Sequence, residues 1–444
     1  MNNPELRRNL WLEITPHRML LMPLLLGLVF VMVGMLTDPN KVNEYLAAAG
    51  LGGFMLISFG WGTQLAAKAF SDELAERTWD WQRLSAMGPW TITWGKLLGA
   101  TAFTWYGGFL CLSVFLIYAP AKPFTDPIQT ALTVVFLAIT AHACALALAV
   151  QLTRQDPLKK SSPLIIFFAL LITSGMLSFR SIRLVVNPTF EAPIYWYGWI
   201  MNNANFVLAT VVFFAGWALV GAYRTLCQAL TVRTVPIVLL GFIATAALYW
   251  TGFKTAGLPH IQTVAWCVWT LSIVLSYFML CFEPSGPIVV RRILCRIKLR
   301  QWRRAAEELP CWPVSVACAL FCALILIALR PIGEMSTFLP KFILEPLPVV
   351  LLLVRDAGIF MFFAAAAKPR RLVGSLLVYL VILNLVLPGA LHALGAEFAA
   401  GLVLPLYAEG KTMQSLTALL QVVIAWSLAS RRIRDRWAFT RVNV

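Results

Sequence analysis

Runs of about twenty mostly apolar residues recur from one end of this 444-residue chain to the other. A helix needs about that length to cross a bilayer. In lipid, only helices and closed barrels satisfy their own backbone polar groups. Twelve such runs fall at about 19–36, 46–66, 97–119, 128–150, 163–179, 206–223, 235–252, 262–282, 313–329, 346–366, 372–389 and 414–429. Turns bearing proline or charge separate them, among them Thr37-Asp38-Pro39, Ala121-Lys122-Pro123 and Lys368-Pro369-Arg370-Arg371. Hydrophobic residues make up 60% of the chain and charged residues 13%, against roughly 45–50% and 25% in a globular domain. A water-soluble fold is excluded, and 28 Phe with 17 Trp exclude intrinsic disorder. The expected fold is all-α, a polytopic membrane protein. Its first run, Met19 to Leu36, is too long for the apolar core of a cleavable signal, and no small-residue cleavage site follows it.

Charge gives a second measure of the topology. The 36 Lys+Arg and 20 Asp+Glu leave a formal net charge of +16. In a membrane protein an excess of Lys and Arg marks the cytoplasmic face. With a cytoplasmic N-terminus, twelve crossings place 27 basic residues inside, 8 outside and Arg355 within a span. The acidic residues divide as 11 inside, 8 outside and Asp356 within that same span. The whole net charge then lies on one face, a partition that a wrong number of crossings would scramble. Both termini are expected in the cytoplasm of a cell with this chain in its inner (plasma) membrane. The basic face is expected to meet anionic lipid, and nucleic acid is not an expected partner.

Nine cysteines, an odd number with no C-x-x-C spacing, imply no disulfide framework. Cys318 and Cys322 share a helix face but have no His or carboxylate nearby in sequence, so they read as small core hydrophobes and no metal site is expected.

The twelve runs divide into two six-helix halves, 1–233 and 234–444. Each half has its longest cytoplasmic segment between its second and third spans, 67–96 in the first and 283–312 in the second. Matching loop placement is what an internal duplication produces. The second loop, with Arg291, Arg292, Arg296, Lys298, Arg303 and Arg304, reads as a lipid-facing basic helix. The first is unlike it. On one continuous helix Glu73, Glu76 and Asp80 fall within about 60° of one another, at about 100° per residue, and Glu73 and Arg77 are spaced for an i, i+4 pair. Gly88-Pro89 then ends that helix and starts the next. Gly95 and Gly99 form a G-x-x-x-G that permits close helix approach. Four tryptophans within sixteen residues, Trp79, Trp81, Trp90 and Trp94, suit an interface or a protein contact rather than a solvated connector.

The stretch from Glu76 to Leu98 resembles the cytoplasmic signature of ABC-2-type exporter permeases. Glu76, Thr78, Asp80, Pro89, Trp90, Gly95 and Lys96 carry the likeness. The family has Gly where this chain has Arg77, and its first Pro is Ala86 here. In that family the segment follows the second span and forms the coupling helix that docks on an ATPase. The resemblance therefore implies ATPase-coupling roles for Glu73, Glu76, Arg77, Thr78, Trp79, Asp80, Trp81 and Arg83. It also implies an N-terminal interfacial helix, for which Asn3–Pro16, with Leu6, Leu10 and Ile14 on one face, is placed. The usual permease has six spans, so the likeness covers the first half. Assembly is open between a fused pseudo-dimer taking two ATPases and a homodimer in which spans seven to twelve are an outer addition.

The chain has no ATPase of its own to expect. The nearest approach to a Walker A loop, Gly88 to Lys96, has six residues between its glycines and Leu97 after the lysine. ATP and Mg belong to a cytosolic ABC ATPase partner, and no cofactor is expected on this chain. Three intramembrane polar residues stand out. Arg355 and Asp356 each cost about 2.5–3.5 kcal/mol near a helix centre, so they line a translocation path, tie two helices together or lie near an interface. Being about 100° apart, they should need partly different partners. His142 reads as a hydrogen-bonded packing residue or, alternatively, as the intramembrane histidine of an acyltransferase. The function expected is that of a permease subunit of an ATP-driven exporter, not itself an enzyme. The alternatives are a twelve-helix secondary transporter and a polytopic acyl- or glycosyltransferase. Reporter fusions at Lys254 and Lys411 should read extracytoplasmic, and fusions at Arg300 and Arg436 cytoplasmic. Arg300 and Arg436 on opposite faces would refute the twelve-span count.

Overall fold

The computed structural model describes residues 3–85, 87–119, 126–155, 194–232, 234–253, 260–283, 286–329, 345–365, 372–408 and 410–442. They form two compact units, Met1–Thr234 and Val235–Val444. Among the described residues nine helices are long and apolar enough to cross a membrane. A tenth crossing is the pair Pro89–Gly99 and Ala102–Tyr118, bent by 52° at its break. Of the twelve expected runs, 163–179 lies outside the described residues. The other remaining run forms only Ile237–Thr251, 15 residues that span about 22 Å of the roughly 30 Å hydrocarbon core. The chain is a multi-pass helical membrane protein.

The first unit opens with α1 (Pro4–Glu13), where the Asn3 side chain accepts from Leu6 N and Pro4 takes the first helical position. α2 (Pro16–Leu36) follows almost directly. Its outward face is bare, with Leu20, Leu24, Met35 and Leu36 exposed, an arrangement that only an apolar solvent tolerates. α3 (Val42–Phe54) runs through a π-helical stretch, Met55–Trp61, into α4 (Gly62–Ala75). Next come α5 (Trp79–Leu84), α6 (Pro89–Trp94), a second π-helical stretch at Gly95–Gly99, α7 (Ala102–Tyr118) and α8 (Pro127–Gln155). A hairpin of β1 (Ile194–Trp196) and β2 (Trp199–Met201) leads into α9 (Asn203–Ala229). α3 packs on α7 around Phe54, Trp105, Cys111, Leu112 and Phe115. α8 packs between α4 and α9, with Phe70, Leu146, Val150 and Leu226 in its core. Polar ties close both ends of the α8–α9 pair, Gln129 with Asn205 and Gln151 with Gln228.

Two features differ from the expected elements. The second crossing does not stop near residue 66 but continues as helix to Ala75; of the charges on that extension, Asp72 is exposed and Glu73 is neutralised inside the fold. The hairpin is the other addition. Tyr197 and Gly198 both have positive φ, 50° and 81°, the geometry of a type I′ turn, which pairs Trp196 with Trp199.

The second unit comprises α10 (Ile237–Thr251), α11 (His260–Phe282), α12 (Pro287–Lys298), α13 (Trp302–Glu308), α14 (Cys311–Ala328) and α15 (Pro346–Ala364). α16 (Leu372–Val381) passes through a third π-helical stretch, Ile382–Val386, into α17 (Leu387–Ala393). α18 (Glu397–Val403) precedes α19 (Lys411–Val442). α15 packs on α19 around Leu353, Phe360, Leu376 and Ala429, and α11 on α14 around Trp269, Ala323 and Cys322. Cys311 and Trp312, the first residues of α14, donate their backbone N–H groups to the buried Glu283 carboxylate at 2.7 and 3.3 Å.

The α3–α7 contact needs glycine at residue 50. A β-carbon there would lie 2.7 Å from Cys111 O and 2.8 Å from Phe115 N, both backbone atoms that cannot yield. Gly50→Val should therefore destabilise by about 1–3 kcal/mol, seen as a lower melting temperature in detergent. Gly27→Ala, with open space around it, should melt like the parent.

Candidate functional site

The loop that carries the family resemblance is not one helix. α4 ends at Ala75, and the chain turns at Arg77, whose φ of 60° lies in the left-handed region. Thr78 N donates to Glu73 O at 2.9 Å and Arg77 N to Leu74 O at 3.2 Å. These are the paired bonds of a Schellman end, which favours Gly at its left-handed position. Arg77 stands where the permease pattern has Gly and holds a conformation costing on the order of 1 kcal/mol.

The break splits the expected acidic face. Glu73 turns inward at the end of α4, while Glu76 stays exposed in the turn and Asp80 on α5. Nor does Glu73 form the i, i+4 pair with Arg77 that helical spacing suggests. Its carboxylate meets Lys96 Nζ and lies 2.6 Å from Arg8 Nη2. It also accepts from Gln82 Nε2 at 2.9 Å. Lys96 is 1% exposed and faces a second buried carboxylate, Glu5, at 3.7 Å. Glu5 in turn accepts from Asn9 Nδ2 at 3.3 Å and Gln82 Nε2 at 3.4 Å. Two carboxylates, one ammonium and one guanidinium thus form a neutral knot. Each charge withdrawn from water has an opposite charge in contact, the condition under which burial is tolerated.

Backbone approach makes the knot possible. α1 crosses the G-x-x-x-G, so a β-carbon on Gly95 would overlap Glu5, and one on Gly99 would lie 2.6 Å from Asn9 Cβ. Asn9 Nδ2 donates to Gly95 O at 3.1 Å, and Asn3 Nδ2 to Thr91 O at 2.8 Å. Trp79, 4% exposed, packs edge-on against Phe70 at 4.7 Å, with the Lys96 ammonium 5.6 Å from its ring centroid. Trp90 stacks on Tyr223 at 4.3 Å and joins α6 to α9. Of the eight residues assigned to coupling, Glu73 and Trp79 are therefore internal and Thr78 is half-buried, its hydroxyl donating to Glu73 O. Glu76, Arg77, Asp80, Trp81 and Arg83 are exposed. Trp81 (78% exposed) and Leu84 (83%) form the apolar part of that surface.

The intramembrane candidates lie elsewhere. Arg355 and Asp356 meet each other as well as the partly different partners expected of them: the long guanidinium arm bends back, and Arg355 Nε donates to Asp356 Oδ1 at 2.8 Å. The remaining valences go outward. Arg355 donates to Gln421 Oε1 at 2.7 Å and Asn384 Oδ1 at 2.6 Å, and Tyr277 Oη donates to Asp356 Oδ2 at 2.7 Å. This buried node ties α11, α15, the third π-helical stretch and α19. His142 Nε2 donates to the Ser58 carbonyl, 2.8 Å away in the first π-helical stretch, and its ring meets Trp105 edge-on. Its neighbour across the contact is Gly62, where a β-carbon would lie 2.5 Å from Nε2. These are the contacts of a packing histidine.

Sequence reasoning missed Glu5, Arg8, Asn9 and Gln82 in the first cluster and Tyr277, Asn384 and Gln421 in the second. For the second cluster the available signal was a polar residue interrupting an apolar helix, which in a membrane protein marks a helix–helix tie; the first cluster lies on polar helices that carry no such signal. Comparison with protein-family models, with curated proteins and with solved structures finds no match for this chain.

Replacing Lys96 by Met should leave two carboxylates, Glu5 and Glu73, facing the single half-exposed guanidinium of Arg8 and cost about 3–5 kcal/mol, read as a lower melting temperature and faster proteolysis within α1. In the double variant Lys96→Met, Glu5→Gln the loss should be smaller than the sum of the two single losses. Additive losses would mean that the two groups do not interact.

Proposed function

We propose that this chain is the membrane-spanning permease subunit of an ATP-driven exporter of the ABC-2 type. In this reading the loop after the second crossing lies in the cytoplasm and docks on a separate ATPase subunit, which binds ATP and Mg. The observation that carries it is the division of labour in that loop. A buried ionic knot holds it rigid from within, while Glu76 on the turn and Asp80, Trp81, Arg83 and Leu84 on the short helix α5 are exposed. Trp and Arg are enriched at protein-binding hot spots, and an apolar centre within a polar rim is the usual anatomy of a protein interface.

A push on α5 has a defined route inward. Gln82 reaches both Glu5 and Glu73, so displacement of α5 acts on α1 and on the end of α4. Lys96, bonded to the same carboxylate, passes it to the start of the third crossing. Closure of an ATPase dimer would by this route tilt that crossing at its 52° bend and change access to a path through the membrane. The placement of both termini and of the second loop in the cytoplasm, and of the chain in the plasma membrane, belongs to the same reading. So does the preference for a homodimer over a fused pseudo-dimer, because only the first loop carries the signature. Two chains per two ATPases would support it, and one chain per two would refute it.

Charge reversal tests the docking surface. Glu76 is exposed and outside every crossing, so Glu76→Lys should reach the membrane in normal amount. Placing like charges together typically costs about 2–5 kcal/mol at a docked pair, a loss of more than tenfold in affinity. The variant should fail to retain the ATPase on purification and lose ATP-dependent transport, whereas Arg300→Glu in the second loop should be mild. Normal retention by Glu76→Lys alongside loss in Arg300→Glu would move the coupling role to the other loop.

A further inference from the structure

The loop between α11 and α14 has a construction of its own. Glu283, at the end of α11, accepts the first two backbone N–H groups of α14, so both ends of the loop are clamped at one point. The segment between them, α12 and α13, is thereby held at the level where two membrane-crossing helices end. It carries seven Lys and Arg against Glu307 and Glu308, a net charge of +5 over residues 287–308. Glu308 lies 3.5 Å from Arg296 and 3.9 Å from Arg292, and Glu307 3.5 Å from Arg303. Arg291 and Lys298 are exposed cations on α12 beyond the reach of these pairs. Seven residues apart, they lie on one edge of the helix, since seven steps of about 100° nearly close two turns. Leu294 lies between them and is 43% exposed.

The other side of α12 is apolar and loosely seated. The helix buries no residue. Beneath it lies a cavity of about 130 Å³ lined by Val290, Ile293, Leu294, Leu309, Trp312 and Met361, among others. Ile297, Leu299 and Trp302 continue the apolar surface into the open. A helix with one cationic edge and one apolar face, pinned where two crossings end, has the form of an interfacial helix.

We propose that α12 and the cavity beneath it form a binding site for an anionic phospholipid, with the phosphate held by Arg291 and Lys298 and the acyl chain laid over Leu294 toward the apolar cavity. Charge complementarity selects an anionic lipid, and continuity with the two clamped crossings selects a lipid over a soluble anion. The proposal is independent of the exporter reading.

The test uses the full chain in neutral detergent at low salt, titrated with phosphatidylglycerol, phosphatidylcholine or inorganic phosphate. Bound lipid is counted by native mass spectrometry, with the melting temperature followed in parallel. The parent should retain phosphatidylglycerol over phosphatidylcholine and melt higher with it, and phosphate alone should do neither. Each neutralised cation near a membrane surface weakens such binding about fivefold. The double variant Arg291→Gln, Lys298→Gln should therefore bind phosphatidylglycerol about 25-fold more weakly and melt like the parent without lipid. Equal retention of the two lipids by the parent, an equal effect of phosphate, or unchanged phosphatidylglycerol binding in the double variant would each overturn the proposal.

Discussion

A charge drawn away from water must meet its opposite at contact distance, and much of this structure is arranged to satisfy that rule. The Glu5–Lys96–Glu73–Arg8 knot is the clearest case. Lys96 could not be 1% exposed unless α1 crossed its helix close enough to bring Glu5 within reach, and that approach requires Gly95 and Gly99. The position of α1, the length of α4 and the start of the third crossing follow from one neutral cluster. Three buried polar contacts, those of His142, Lys96 and Arg355, also touch a π-helical stretch. Ser58 lies in the first of the three stretches among the described residues, Lys96 in the second and Asn384 in the third. Such wide turns re-aim side chains and free carbonyl groups, which is how an apolar helix presents a polar partner sideways.

The two long loops solve one mechanical problem by different chemistry. In each, a buried glutamate near the end of one crossing holds the start of the next. Glu73 does so through the Lys96 side chain, and Glu283 through the backbone N–H groups of Cys311 and Trp312. In each, an arginine with positive φ, Arg77 or Arg300, ends a helix with Schellman bonds and turns the chain sharply. What they then expose differs. The first loop shows Trp81 and Leu84 among mixed charges, suited to a protein, whereas the second shows a cationic edge beside an apolar face, suited to lipid. The proposed exporter function and the proposed lipid site rest on that contrast.

Hydrophobic run lengths already disclosed a multi-pass helical membrane protein, because spanning length is a local property of the chain. Among the described residues, ten of the twelve expected runs reappear as helices long and apolar enough to cross when the bent pair is counted as one. Local patterning also placed Pro89 at a helix start and the G-x-x-x-G at a close approach, and the family resemblance implied the helix within Asn3–Pro16 that forms as Pro4–Glu13. It went wrong where a distant group decided the outcome. Helical spacing put Glu73, Glu76 and Asp80 on one face, but the Schellman turn at Arg77 and the lysine twenty-three residues away sent Glu73 inside. Arg355 and Asp356 were legible as costly, yet their partners Tyr277, Asn384 and Gln421 lie 79, 29 and 66 residues off in sequence. Periodicity and composition report what a segment does along its own axis, and they determined the class of this protein. Which charge meets which is a matter of helix packing, and only the tertiary structure decided it.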